Sequence, residues 1–178
     1  PNMATPAGDF ALVVPAEERK SADHWDFEGK AVCIPLVSSA GHGKADIKRI
    51  HYQEGKFALA TTMCALFVKD EKVMHPQYLH IFLSAMCQDV LVPLMCGATN
   101  VTMSSSQLGN VVIPVPSLEI QTEMIESDLI ATAGAALMNT AILLRDSSSA
   151  DVANWAKGII IDTEGFLKES EQRINISD

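Results

Sequence analysis

Apolar residues fall in short clusters over roughly the first seventy positions and recur at helical spacing afterwards. FALVV at 10–14 predicts a short strand, stopped by Pro15, which has no N–H to donate. EERKSADHWDFEGK is polar and predicts a loop, pinned to the body by Trp25 and Phe27. AVCIPLV at 31–37 is apolar and β-rich, and Pro35 within it predicts an edge or irregular strand. SSAGHGK, 38–44, has loop composition. Polar and apolar positions then alternate over 46–52, with Ile47, Ile50 and Tyr52 among Asp46, Lys48 and Arg49. EGK turns the chain. KFALATTMCALFV, 56–68, predicts two strands or one long bent one; helix stays open, although Phe57, Thr61, Thr62 and Val68 favour strand.

Pro76 suits the first turn of a helix, and Tyr78, Leu79, Phe82, Leu83, Met86 and Val90 follow at helical spacing. A helix over 76–91, ended by Pro93, is predicted. CGATNVTMSS is short and β-like with a turn at Gly97, SQLGN makes one helical turn, and 111–115 forms a strand closed by Pro116. Ser117 is placed to cap the next helix, whose first turns carry Glu119, Glu123 and Glu126, where the helix dipole favours negative charge. Ile130, Ala133, Leu137, Ala141 and Leu144 form an apolar stripe, and no proline interrupts 117–146. Such a helix is roughly 40 Å long. RDSSSAD breaks it, and Val152, Trp155, Ile159, Thr163 and Phe166 mark a second helix. Two helices and a short loop make an antiparallel hairpin, with Gly134, Ala135 and Ala136 allowing close approach. The fold class is therefore α+β: a β-rich body over 1–116 with an internal helix, then a helical hairpin over 117–178.

A chain of 178 residues, 48% apolar and 20% charged, suits one globular domain or a domain with an appendage. No apolar run reaches the ~18 residues a membrane span needs, so no membrane role is expected. The opening PNMATPAGDF lacks the basic and apolar parts of a secretion signal and reads as a cut edge of a longer chain. Cys33, Cys64, Cys87 and Cys96 form no C-x-x-C pair, which predicts buried free thiols in a reducing cytoplasm and no metal site. The net charge of −9 is unevenly spread. Residues 1–116 carry 9 Lys/Arg against 11 Asp/Glu, and residues 117–178 carry 4 against 11. Within the first part, HGKADIKRIHYQEGK at 42–56 is locally basic, with Lys44, Lys48, Arg49 and Lys56 against Asp46 and Glu54.

IPVPSLEIQTEMI, 113–125, gives this pattern a family. It resembles the segment that closes a target-recognition domain in type I restriction–modification specificity subunits, where Ile-Pro-x-Pro leads into a long helix through a Gln and an apolar residue. Those positions are Ile113, Pro114, Pro116, Gln121 and Ile125. Ser117 and Ile120 stand where the family often has a further proline and a Glu. Upstream, GKFALATTMCALFVKD, HPQYLHIFLSA and GATNVTMSSSQLGNVVIPVP match in order the family's central strands, internal helix, and glycine, short turn and final strand. The resemblance spans roughly 30–130. It implies a body somewhat like a distorted β-helix with a C-terminal α-hairpin. It further implies that 1–116 recognises half of a double-stranded DNA target, while the hairpin docks an adenine methyltransferase subunit, perhaps also a restriction subunit, or a second copy. The same domain also occurs fused to an adenine methyltransferase.

Phosphate contacts need Lys or Arg, and base readout needs polar side chains at a groove. Ser39, His42, Lys44, Lys48, Arg49 and Lys56 are the candidates in the basic stretch; an ordinary solvated loop and strand face is the competing reading. Asn100, Thr102, Ser104 and Gln107 are uncharged candidates, with capping of a short helix as the alternative. Ile130, Leu137, Leu144, Trp155 and Ile159 are candidates for a partner interface, against the alternative that the two helices simply bury this stripe in each other. His75 and His80 are five apart and do not share a helix face as a metal pair would. No G-x-S-x-G, phosphate loop or dinucleotide fingerprint appears, nor the Asn/Asp-Pro-Pro-aromatic tetrapeptide of an adenine methyltransferase. A non-catalytic module without cofactor is expected. The reading from another class is a protein–protein docking or dimerisation module without DNA binding.

Overall fold

The computed structural model describes residues 8–40 and 43–144 and the single positions 150, 154 and 157; Leu137, Met138, Ala141, Leu143 and Leu144 are described by backbone alone. The predicted second helix, with Trp155 and Ile159, lies outside the described residues, as does His42. The chain divides into two compact units, 1–122 and 123–178.

The first unit holds two sheets. One has the order β2-β1-β6-β3, from β1 (Phe10–Val13), β2 (Lys20–Ala22), β3 (Phe27–Glu28) and β6 (Lys56–Leu59). β1 runs parallel to β6 and antiparallel to β2. The other has the order β5-β4-β7, all antiparallel, from β4 (Ala31–Pro35), β5 (His51–Gln53) and β7 (Met63–Phe67). KFALATTMCALFV is thus two strands, β6 and β7, each in a different sheet. The polar 17–30 stretch, predicted as loop, contributes β2 and β3. Their residues are too few and too polar to show a period of two, and neighbouring strands supply the pairing. Trp25 does pack, against Phe10 at 5.0 Å between ring centroids, and Phe27 packs against Phe57 and Phe67.

β4 is the central strand of its sheet, contrary to the edge position Pro35 suggested. Leu36 N–H donates to Thr62 O, so even-numbered positions of β4 bond towards β7. The nitrogen of Pro35 therefore turns to the β5 side, where pairing has already ended at Cys33↔His51. No ladder bond is lost. Both faces of β4 are buried, which is why its sequence shows no alternation. Ala31 and Cys33 pack with Val13, Phe57 and Met63 from the other sheet, whereas Val32 and Ile34 face the helical layer of Leu79, Leu83, Cys87 and Leu91. Burial pushes the Cys33 thiol up to about 12. Cys87 is also buried, Cys64 half-buried, and Cys96, against expectation, exposed. Its sulfur sits at a hairpin base, within 3.4 Å of Leu94 O and Gln107 Nε2.

The internal helix starts as predicted but breaks once. α1 covers Pro76–Ala85 and α2 Cys87–Val90, with Met86 at φ −95°, ψ 13° between them, and a 3-10 turn follows at Val92–Leu94. The core-facing residues are Leu79, Leu83, Cys87 and Leu91, spaced by four. Such a row drifts about 40° per step on a straight helix, and the break at Met86 resets the face, leaving Met86 itself exposed. α3 (Ser105–Leu108) is the expected single turn. Residues 111–115, predicted as a strand, are extended but unpaired. Val111 and Ile113 face the core while Val112 is 89% exposed. Pro114 and Pro116 have no N–H for a ladder, and Tyr78 Oη donates to Pro114 O at 2.9 Å instead. The distorted β-helix is thus replaced, as a description, by two short sheets under a helical layer. α4 then runs over Leu118–Leu144.

Candidate nucleic-acid interface

The end of β4 opens into the 38–46 loop, which its own serines close. Ser38 Oγ donates to Lys44 O at 2.6 Å and accepts the Asp46 N–H, while Ser39 Oγ donates to the Asp46 carboxylate at 2.8 Å. The Ser39 hydroxyl, aided by Gln88 and Lys48, holds the Asp46 carboxyl below its usual range in spite of some burial. Ser39 is therefore committed to loop closure. Lys44 is exposed, with no hydrogen-bond or ion-pair partner among the described residues.

A second loop, distant in sequence, is stitched to the first. Cys96 and Thr102 exchange two backbone hydrogen bonds, 2.8 and 2.9 Å, closing a hairpin over 97–101. Ser38 N–H donates to Val101 O, Met103 N–H donates to Leu36 O, and Val37 bridges Thr102. Two glycines make the contact possible. A Cβ on Gly43 would lie 2.3 Å from Ala98 O, and one on Gly97, at φ +134°, 2.2 Å from Asn100 O. Asn100 and Thr102 are both exposed. Ser104 and Gln107 are not free: Ser104 Oγ accepts the Gln107 N–H, Gln107 Oε1 accepts the Ser104 N–H, and Gln107 Nε2 donates to Leu94 O. For these two the capping alternative describes the structure.

The remaining basic candidates lie elsewhere. Ile47 and Ile50 anchor the 46–50 segment in the core, where Cys87 Sγ–H and His80 Nε2–H donate to the carbonyls of Ile47 and Ile50. Between them Lys48 and Arg49 border a depression of about 260 Å³ shared with His80 and Ser84. Lys48 is exposed with no hydrogen-bond partner among the described residues, whereas Arg49 is ion-paired to Glu17. Lys56 is on β6, in the other sheet, with its ammonium 4.4 Å from the Trp25 ring centroid. The candidates thus fall into three places rather than one patch.

Two buried polar groups escaped the sequence reading as structural devices. Arg19, just before β2, donates to Gln53 Oε1, His51 Nδ1 and Tyr52 O, tying the first sheet's connection to β5. His51 Nε2–H donates to Val14 O, so Nδ1 is the acceptor and the ring is neutral. Burial, and then the Arg19 charge, lower its pKa. Nothing in a pattern of one strand reveals a bond to a residue more than thirty positions away. Gln121, in the first turn of α4, is 0% exposed. Its Oε1 accepts the His75 N–H at 2.8 Å, and its Nε2 donates to Val73 O and Pro116 O at 3.0 and 2.8 Å. His75 caps α1 without using its side chain, so Gln121 fixes the start of that helix and the exit of the Pro-x-Pro segment together.

Residues 16–127 match the family model described as "Type I restriction modification DNA specificity domain", more than half of the chain. The chain belongs to this family. The matched span takes in both stitched loops, the two sheets' shared core and Gln121. Among solved structures, the S subunit of a type I restriction-modification system from M. genitalium aligns with a TM-score of 0.58 at 15% identity, covering 81% of this chain and 38% of that one. That likeness concerns the fold, and the chain spans about two fifths of that subunit's length. No curated protein matches the sequence significantly. Specificity domains of this family are non-catalytic parts of restriction–modification systems. Among the described residues no helix is long and apolar enough to cross a membrane.

Of the predicted partner-interface residues, Ile130 is exposed on α4; the side chains of Leu137 and Leu144, and all of Trp155 and Ile159, lie outside the described residues. Met124, Leu129 and Ile142 are further exposed apolar residues on the same helix.

Proposed function

We propose that the first unit recognises one half of a bipartite DNA target, and that the helical segment beyond it docks an adenine methyltransferase subunit, with or without a restriction subunit or a second copy of the chain. The family match over 16–127 carries this reading. Three features support it: an uncommitted Lys44 beside a polar hairpin, an exposed Lys48 at a shallow depression, and a negative charge concentrated beyond residue 116. Phosphate contacts position such a domain and polar side chains at the groove specify the site. Ser39, Ser104 and Gln107 serve by shaping the loops, Lys44 and Lys48 by meeting phosphates, and Arg49 in exchange for its pairing with Glu17. Lys56, beside Trp25, and His42 extend the same basic character. The methyl transfer itself belongs to the partner.

Methylome sequencing of a host with and without the gene tests the reading. A modified adenine motif that appears only with the gene is expected; no gene-dependent motif, together with no sequence enriched from a random duplex pool at low salt, refutes it. The exposed Met124, Leu129, Ile130 and Ile142 favour a second reading, a docking or dimerisation module without DNA binding, which that negative result would leave standing.

A further inference from the structure

We propose that the tip of the 97–101 hairpin, through Thr99 and Asn100, reads bases, with Lys44 as its phosphate anchor. This rests on the DNA-recognition reading and narrows it to three side chains.

Base readout needs donors and acceptors that are both unspent and rigidly mounted. Most polar side chains around the two loops are spent: Ser38 and Ser39 close the 38–46 loop, and Ser104 and Gln107 cap α3. Thr99 and Asn100 are exposed and make no hydrogen bond among the described residues. Their mounting is stiff. The hairpin is closed by the Cys96–Thr102 pair, Val101 is buried, and its carbonyl accepts the Ser38 N–H at the end of central strand β4. Gly43 and Gly97 leave no room for a Cβ, so the tip lies directly on the loop that carries Lys44.

Charge points the same way. Asp and Glu are spread through the chain, yet Val90 to Leu118 contains neither, nor any Lys or Arg. An acidic protein thus presents this hairpin to a polyanion without a carboxylate of its own. A narrow turn fits a major groove about 12 Å wide. The Asn carboxamide matches the acceptor–donor pair of adenine N7 and N6, and a Thr methyl suits the thymine methyl. The ligand class at the tip is therefore a duplex containing A·T pairs.

The test is selection of bound duplexes from a randomised double-stranded pool by the full chain, alone and mixed with an adenine methyltransferase subunit. Asn100→Ala and Thr99→Ala are compared with wild type, and unchanged thermal midpoints verify their folding. Asn100→Ala is expected to lose preference at one or two A·T positions and to bind the wild-type motif about 10-fold more weakly, with affinity for scrambled duplex within about twofold. Lys44→Ala is expected to weaken motif and scrambled duplex alike and keep the motif. If wild type selects a motif and both tip variants select the same one with equal affinity, the tip assignment is wrong while the DNA reading survives. If wild type selects nothing in either form, the DNA reading fails and the assignment with it.

Discussion

Gln121 shows how much one polar side chain can decide. A buried carboxamide is tolerated only when its hydrogen bonds are made, and here three backbone groups meet it. Gln121→Ala strands the His75 N–H and two carbonyls. We expect a loss of about 3 kcal/mol, from ~1–3 kcal/mol per abandoned buried group, measured by urea unfolding of the full chain. Gln121→Glu should also destabilise, because a carboxylate cannot donate to Val73 O and Pro116 O. A stability equal to wild type in the Ala variant would show that water replaces the side chain at no cost. His51 makes a different demand. Its folded pKa lies below the usual value of about 6.5, so the unfolded chain binds the proton more readily. Its contribution is therefore whole above about pH 6.5 and is lost as pH falls towards the folded value. Urea midpoints at pH 7.5 and 5.5 should fall for wild type by more than for His51→Asn; equal falls would mean that other groups dominate.

At the scale of elements, the two stitched loops depend on backbone geometry more than on side chains. Gly97 adopts φ +134° with Asn100 O where a Cβ would stand, so Gly97→Ala strains the hairpin on both counts. A cost of about 2 kcal/mol is expected, seen as a lower thermal midpoint. Gly109 provides the contrast. It follows α3 at φ −64°, and a Cβ there would meet only ordinary contacts at 3.5 Å. Gly109→Ala should be neutral or slightly stabilising. If the two substitutions shift the midpoint equally, the crowding at Gly97 relaxes freely. The helices were easier to foresee than the loops. Pro76, the 78/82 and 79/83 pairs and the single turn after Ser104 are local signals of a few residues' range. The break at Met86 is not local, because it follows from which residues must keep facing β4.

On the scale of the whole molecule, a net charge of −9 would argue against DNA if it were evenly spread. Residues 1–116 are close to balance, and the cations without internal partners in the described structure, Lys44 and Lys48, stand in the region proposed to meet phosphates. Specific binding should weaken with salt, at a log–log slope of about −0.9 per phosphate contacted. Lys48→Ala should flatten that slope by about one contact. Arg49→Ala should do less, since its charge is already met by Glu17. Equal slopes for wild type and Lys48→Ala would place Lys48 away from the duplex.

By itself the sequence determined the class of the fold, the presence of an internal helix and a long later one, and, through the Pro-x-Pro and Gln signature, the family. Each depends on spacing within a short window or on the order of such windows. Tertiary structure alone decided that Pro35 ends a central strand, that 111–115 has no partner, that Arg19 reaches His51, and that the loops after β4 and Cys96 form one surface. Those outcomes depend on which backbone groups far apart in the chain find each other. Register and burial, rather than residue type, select among the partners available, and a linear pattern carries no record of that selection.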